Sequence, residues 1–144
     1  MLLYQNLYKL FLCLGYDISE PDPQLFFTNY SLGYRRDSET GNMTKALLRQ
    51  DKAAFDKLVE IVQPKVIICL GKMVSEMVTG YTIKEFGKKL DQGVVSSNYP
   101  ANSMIKVYCV GHCGSRGVSN RGGMENMKKD WDNIKEDMRR AKLL

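Results

Sequence analysis

Apolar positions recur along this chain with two different spacings, and the alternation between them is the first guide to its fold. Leu3, Leu7, Leu10, Phe11 and Leu14 follow one another at three- and four-residue steps, so the first segment is expected to be a helix with one buried stripe. Gly15 is placed to end it, and Pro21-Asp22-Pro23 then imposes an extended or turning connection. Leu25-Phe26-Phe27-Thr28 is apolar on both alternating sets, the pattern of a short strand covered on two faces. Asn29 through Asn42 is polar, carries Gly33 and Gly41, and is long enough to suggest a binding loop.

Phe55, Leu58, Val59 and Val62 return to helical spacing, with Asp51 available as a cap and Pro64 closing the pattern. Lys65-Val66-Ile67-Ile68-Cys69-Leu70 is the strongest strand signal, an uninterrupted apolar run headed by one charge. Gly71 allows a sharp turn into a short helix with Met73, Val74, Met77 and Val78, which Gly80 can terminate. Tyr81 to Ser103 contains Gly87, Gly93 and Pro100 and is expected to be irregular, with a short edge strand near Val94-Val95. Lys106-Val107-Tyr108-Cys109-Val110 reads as the next core strand, opening into a loop from Gly111 to Gly123. A last helix carries Met127, Trp131, Ile134 and Met138 on one stripe. Strand and helix in alternation imply an α/β fold, a three-layer α/β/α domain around a central, mainly parallel sheet with right-handed crossovers.

At 144 residues the chain is expected to form a single domain spanning positions 1–144. Hydrophobic residues make up 44% and charged residues 26%, a globular balance that excludes a disordered tail. No apolar stretch approaches the length of a membrane span, so no membrane partner is expected. Lys9 interrupts the apolar N-terminal segment and no small-residue cleavage site follows it, which favours an amphipathic helix over a secretory signal. Cys69 and Cys109 lie within strand-like runs, and Cys13, Cys109 and Cys113 with His112 lack zinc-ligand spacing. These settings favour reduced structural cysteines over metal ligation or a disulfide, and with them a cytoplasmic protein without a bound metal or cofactor. Basic residues exceed acidic ones, 21 to 16, which favours approach to a polyanion. The pairs Lys88-Lys89, Lys128-Lys129 and Arg139-Arg140 are equally accounted for as solvated surface.

In parallel-sheet folds the chemistry collects beyond the carboxyl ends of the strands. Asn29 follows one predicted strand and presents one acceptor and two donors, suited either to a base edge or to stabilising its own loop. His112 follows another, and could stabilise charge on a leaving group or serve as a structural hydrogen-bonding residue. Five glycines between Gly111 and Gly123 permit close backbone approach, and Ser115, Arg116, Ser119, Asn120 and Arg121 offer donors to phosphate. Neither the P-loop spacing nor the dinucleotide fingerprint occurs.

Phe26-Phe27-Thr28-Asn29, then Pro64-Lys65-Val66-Ile67-Ile68-Cys69-Leu70-Gly71, then Gly111-His112-Cys113-Gly114-Ser115 with Trp131 beyond, resemble in order the later central-strand regions of the uracil-DNA glycosylase superfamily. The resemblance covers most of the chain, from about Phe26 to Ile134. It implies a domain that accepts a deoxyuridine flipped out of DNA and hydrolyses its N-glycosidic bond, with DNA as partner and no cofactor. Asn29 would be the base-recognition residue and His112 the catalytic residue that supports the departing uracil. Gly114, Ser115 and Arg116 would lie in the loop that compresses the DNA backbone, with Ser119 and Arg121 as further phosphate donors. The chain departs from the family in three respects: no GxDPY or GExPG water-positioning motif is present, Cys113 replaces the usual proline after the histidine, and the four cysteines do not reproduce the iron-sulfur branches. A divergent or N-terminally shortened member is the implied reading. The alternatives are a non-catalytic nucleic-acid-binding module of the same fold and, third, an enzyme acting on free nucleotides.

Overall fold

The computed structural model describes residues 2–30 and 51–144, and its contacts divide into two compact units: residues 1–22 with 65–144, and residues 23–64. The larger unit is an α/β arrangement of helices on a three-stranded sheet. Helix α1 spans Leu2–Leu14 and buries Asn6, Leu10, Phe11 and Leu14, close to the anticipated stripe. Gly15, with φ at 91°, ends it where expected, its N–H donating to the Leu12 carbonyl.

In the smaller unit, helix α2 (Lys52–Val62) buries Phe55 and Val59. Tyr30 packs against Phe55 with ring centroids 4.7 Å apart. The helix stops at Gln63, in the left-handed region with φ at 53°, ahead of Pro64, which cannot continue it. Residues 25–28 form no strand, and Phe26 and Phe27 are 59% and 54% exposed. A four-residue apolar run gains nothing from an extended conformation unless a neighbour supplies a ladder. The polar loop anticipated from Asn29 to Asn42 lies, beyond Tyr30, outside the described residues.

The sheet forms from β1 (Val66–Leu70), β2 (Val95–Tyr99) and β3 (Asn102–Val110), in the order β1-β3-β2. β1 runs parallel to β3 with Cys69 opposite Cys109 and Leu70 opposite Val110, whereas β2 runs antiparallel to β3. The sheet is therefore mixed, where a mainly parallel one was anticipated. The reason lies in the stretch from Tyr81 to Ser103, which proves more ordered than its glycines suggested. It contains helix α4 (Phe86–Gln92) and a strand that turns through Pro100 and Ala101 straight back into β3. So short a connection can only make an antiparallel pair. β2 alternates half-buried Val95 and Ser97 and buried Tyr99 with exposed Ser96 and Asn98, as an edge strand covered on one face does.

Helices cover both faces of β3. Helix α3 (Lys72–Thr79) packs on the side of Cys69 and Cys109 through its buried Ser75. Successive strand residues point to opposite faces, so Tyr108 faces the other way. There its hydroxyl donates to Asp137 at 2.5 Å, and Asp137 belongs to the C-terminal helix α6 (Met124–Arg140). Burial and that hydrogen bond hold the Tyr108 phenol above its ordinary range. α6 buries Met127, Trp131, Ile134 and Met138, the anticipated stripe, and α1 packs on it with Phe11 edge-on to Trp131 at 5.1 Å. A short helix, α5 (Ser115–Asn120), lies between β3 and α6.

Candidate functional site

Because β1 and β3 are parallel, they end side by side. The Gly71 N–H donates to the Val110 carbonyl at 2.8 Å, closing the ladder where both chains leave the sheet. Gly71 has φ at 111° and turns at once into α3, a conformation that favours glycine. A Cβ on Gly71 would sit 3.6 Å from the Cβ of His112, so the two turns lie close enough for a single added methyl to touch the histidine. His112 is thus held at the carboxyl end of the central strand, as expected, and its side chain is exposed.

The imidazole is oriented by its own loop. Its Nδ1 accepts the Gly114 N–H at 3.0 Å, which in the neutral ring leaves Nε2 as the N–H donor. Two glycines make this geometry possible. A Cβ on Gly114 would approach Nδ1 to 3.0 Å, and one on Gly117 would fall 1.9 Å from the His112 carbonyl oxygen. Helix α5 therefore packs directly onto the backbone of His112, and only a residue without a side chain permits it.

Two further anchors hold the loop. Asn6, buried in α1, donates its side-chain amide to the Cys113 carbonyl at 2.8 Å, and the Cys113 thiol points back to the Leu3 carbonyl at 3.9 Å. Cys113 is fully buried, and that burial pushes its thiol above the ordinary value. Sequence reasoning overlooked Asn6, although a polar residue within an otherwise apolar helical stripe was a usable signal. The second anchor is Arg121. Its Nε and Nη2 donate to the two carboxylate oxygens of Asp130 at 2.7 and 3.0 Å, and Nη2 also donates to Asp91 at 3.0 Å. The Arg121 and Asp130 side chains are 11% and 2% exposed. The hydrogen bonds to Asp130 raise the Arg121 pKa further, keeping it charged, while burial works against ionisation of Asp130 and Arg121 works for it. The Arg121 Cγ would lie 3.3 Å from a Cβ on Gly111, so this residue braces the start of the loop.

Of the anticipated phosphate donors, Ser115, Arg116 and Ser119 are exposed on α5, and Gly114 precedes it. Arg121 differs, because two carboxylates already take its guanidinium. Asn29 is exposed and not at the end of a strand; the Thr28 hydroxyl donates to its backbone carbonyl at 3.1 Å. Asn29 belongs to the smaller unit and His112 to the larger. Asp17 accepts both the N–H and the hydroxyl of Ser19, and these bonds lower its pKa.

The basic pairs lie on exposed helix faces, where Lys88 meets Glu85 at 3.4 Å, Lys128 meets Glu125 at 3.6 Å and Arg139 meets Glu136 at 3.3 Å. Such pairs describe solvated helices. Lys72 is a cation that sequence reasoning did not single out: it is exposed and directly follows Gly71. Among the described residues no group of three or more His, Cys, Asp or Glu side chains is placed to hold a metal ion, and no helix is long and apolar enough to cross a membrane. Compared with known proteins, the chain matches no protein-family model, and no curated protein is significantly similar to it.

Proposed function

We propose that the chain is a uracil-DNA glycosylase-like protein whose His112 loop receives a uracil turned out of DNA. The observation that carries this reading is the Gly114 N–H on Nδ1, which leaves Nε2–H of an exposed histidine as a donor at the end of the central strand. A uracil carbonyl placed there would accept that proton in a hydrogen bond. The bond strengthens as negative charge moves onto the leaving base, so it favours the transition state over the bound substrate. Water would attack the anomeric carbon while the bond to the base nitrogen breaks, and uracil would depart as its anion.

In this reading the sheet with helices on both faces is that family's three-layer domain, with β1 and β3 as two of its parallel strands. Gly114, Ser115, Arg116 and Ser119 meet the phosphates beside the flipped nucleotide. Arg121 acts as a positioning residue, bracing the loop through Asp130 instead of touching DNA. Flipping costs a few kcal/mol, which phosphate contacts outside the pocket offset.

One observation favours a second reading, a nucleic-acid-binding module without base release: neither GxDPY nor GExPG, the patterns that position the attacking water, occurs in the sequence. A single-turnover base-release assay separates the two, with protein in excess over single-stranded DNA carrying one uracil. Glycosylase chemistry predicts uracil release by the parent that falls sharply in His112→Ala. Salt-sensitive DNA binding with no release by a folded parent would leave the binding module, and loss of both would overturn the DNA reading.

A further inference from the structure

Away from the His112 loop, the structure places two thiols together in the core. Cys69 of β1 and Cys109 of β3 are directly opposed in the parallel register, so their side chains project from the same face of adjacent strands. They are 3% and 1% exposed, and neither is in a disulfide. Opposed residues on neighbouring strands have Cα atoms about 4.8 Å apart, the spacing of the ladder itself. That falls within the range of about 4.4 to 6.8 Å that a disulfide bridges. The pair sits two residues before Gly71 and three before His112, at the point where both strands leave the sheet.

We propose that Cys69 and Cys109 form a reversible oxidation site, at which a small peroxide converts the two thiols into a disulfide that staples β1 to β3. In the first step the Cys109 sulfur attacks hydrogen peroxide. An S–O bond forms, the O–O bond breaks, and one water leaves with the thiol proton. In the second step the Cys69 sulfur attacks the resulting sulfenic sulfur. The S–S bond forms, the S–O bond breaks and a second water leaves. Two thiols and one peroxide thus give one disulfide and two waters, the sulfurs oxidised and the peroxide oxygens reduced.

The environment sets these roles. Contact with Cys109, together with burial, raises the Cys69 thiol well above its ordinary value, and contact with Cys69 lowers that of Cys109. Ser75, whose hydroxyl donates to the Gly71 carbonyl at 2.6 Å, lies beside the Cys109 sulfur. Cys109 is accordingly the attacking sulfur and Cys69 the resolving one. Burial makes local opening of the strand ends the slow step, so reaction trails that of the half-buried Cys13.

The test uses the intact, folded protein, treated with hydrogen peroxide, then denatured with iodoacetamide and cut with trypsin without reduction. The proposal predicts a cross-linked pair of peptides, residues 66–72 joined to residues 107–116. Fragmentation should place the link between Cys69 and Cys109, distinguishing Cys109 from Cys113 in the same peptide, and dithiothreitol should abolish it. Far-UV circular dichroism of the oxidised protein should remain that of the folded state. Alkylated, unlinked Cys69 and Cys109 after Cys13 has fully oxidised would overturn the proposal. A link that appears only in denatured protein, or that joins Cys69 to Cys113, would do so equally. Cys109→Ser should lose the cross-link, and if it fails to fold the peptide map of the parent still decides.

Discussion

The two parallel strands end at the same level of the sheet, yet the connections that leave them are unlike. After β1 a single residue, Gly71, turns the chain straight into α3. After β3 the chain runs from Gly111 to Gly123 before α6 begins, through a six-residue helix and past the only histidine. The short connection is specified by one backbone conformation. The long one is fastened from outside, by Asn6 from α1, by Arg121 through Asp130 of α6, and by the approach of Gly117 to the His112 carbonyl. Closing a longer loop costs more entropy, and buried polar contacts offset that cost while leaving His112 at the surface. A connection held this way is suited to presenting a side chain, whereas the Gly71 turn serves only to reverse the chain.

The largest effect that would break this contrast is removal of the Arg121 brace. Arg121→Met leaves the Asp130 carboxylate buried without its partner, and should cost about 4 kcal/mol at neutral pH, read from urea unfolding. The loss should shrink on acidification. Without Arg121, burial and then the nearby Asp91 carboxylate raise the folded-state pKa of Asp130 above the unfolded value, so the folded state takes up the proton first. The variant's stability is therefore greatest below the unfolded carboxylate pKa and falls as pH rises through the folded one. A deficit independent of pH would mean that Arg121 acts through packing alone. Next in size is Gly117→Ala, whose Cβ would meet the His112 carbonyl oxygen at 1.9 Å. Overpacking against backbone should cost about 3 kcal/mol and displace His112, so any His112-dependent uracil release should fall with it.

Helices α1, α2, α3 and α6 and the parallel pair were legible in the sequence from the stripe of α6, the apolar run of β1, and Gly15, Gly71 and Gly80 at their turns, whereas α4 and α5 are too short to carry a period and were not. Position alone placed His112 at the end of a strand. The edge strand anticipated near Val94-Val95 forms as β2, whereas the strand anticipated at Leu25 to Thr28 does not. Leu25 to Thr28 has the better composition, but β2, with Ser96, Ser97 and Asn98, pairs because a two-residue turn delivers it to β3. Chain connectivity there outweighs β-propensity. The donors of the glycine-rich loop could not be sorted either. Arg116 and Arg121 look alike in sequence, and only the packing of α6 and α4 brings Asp130 and Asp91 to the second of them.

Gly71→Ala tests the other side of the comparison. Its φ of 111° with ψ of 153° is a conformation that an alanine adopts only under strain, which should cost about 2 kcal/mol. The added methyl would meet the His112 Cβ at 3.6 Å, an ordinary contact, so the imidazole should stay where it is. The expected result is lower stability in urea, with any DNA binding and any His112-dependent release unchanged per folded molecule. A loss of binding at temperatures where the variant is folded would show that the short turn also shapes the site.

The smallest effect on stability belongs to Arg116. It is exposed on α5, so Arg116→Ala should change unfolding by no more than about 0.5 kcal/mol. If its guanidinium meets a DNA phosphate, binding should weaken across all sequences, and the slope of log affinity against log salt should shallow by about 1. Arg121→Lys makes the matched control, since a lysine retains the charge but cannot reproduce the two-pronged contact with Asp130. It should lower stability while leaving the salt slope of the folded protein nearly unaltered. An Arg116 variant with the parent's salt slope, beside an Arg121 variant with a reduced one, would reverse the assignment of the two arginines and place the buried brace on the DNA.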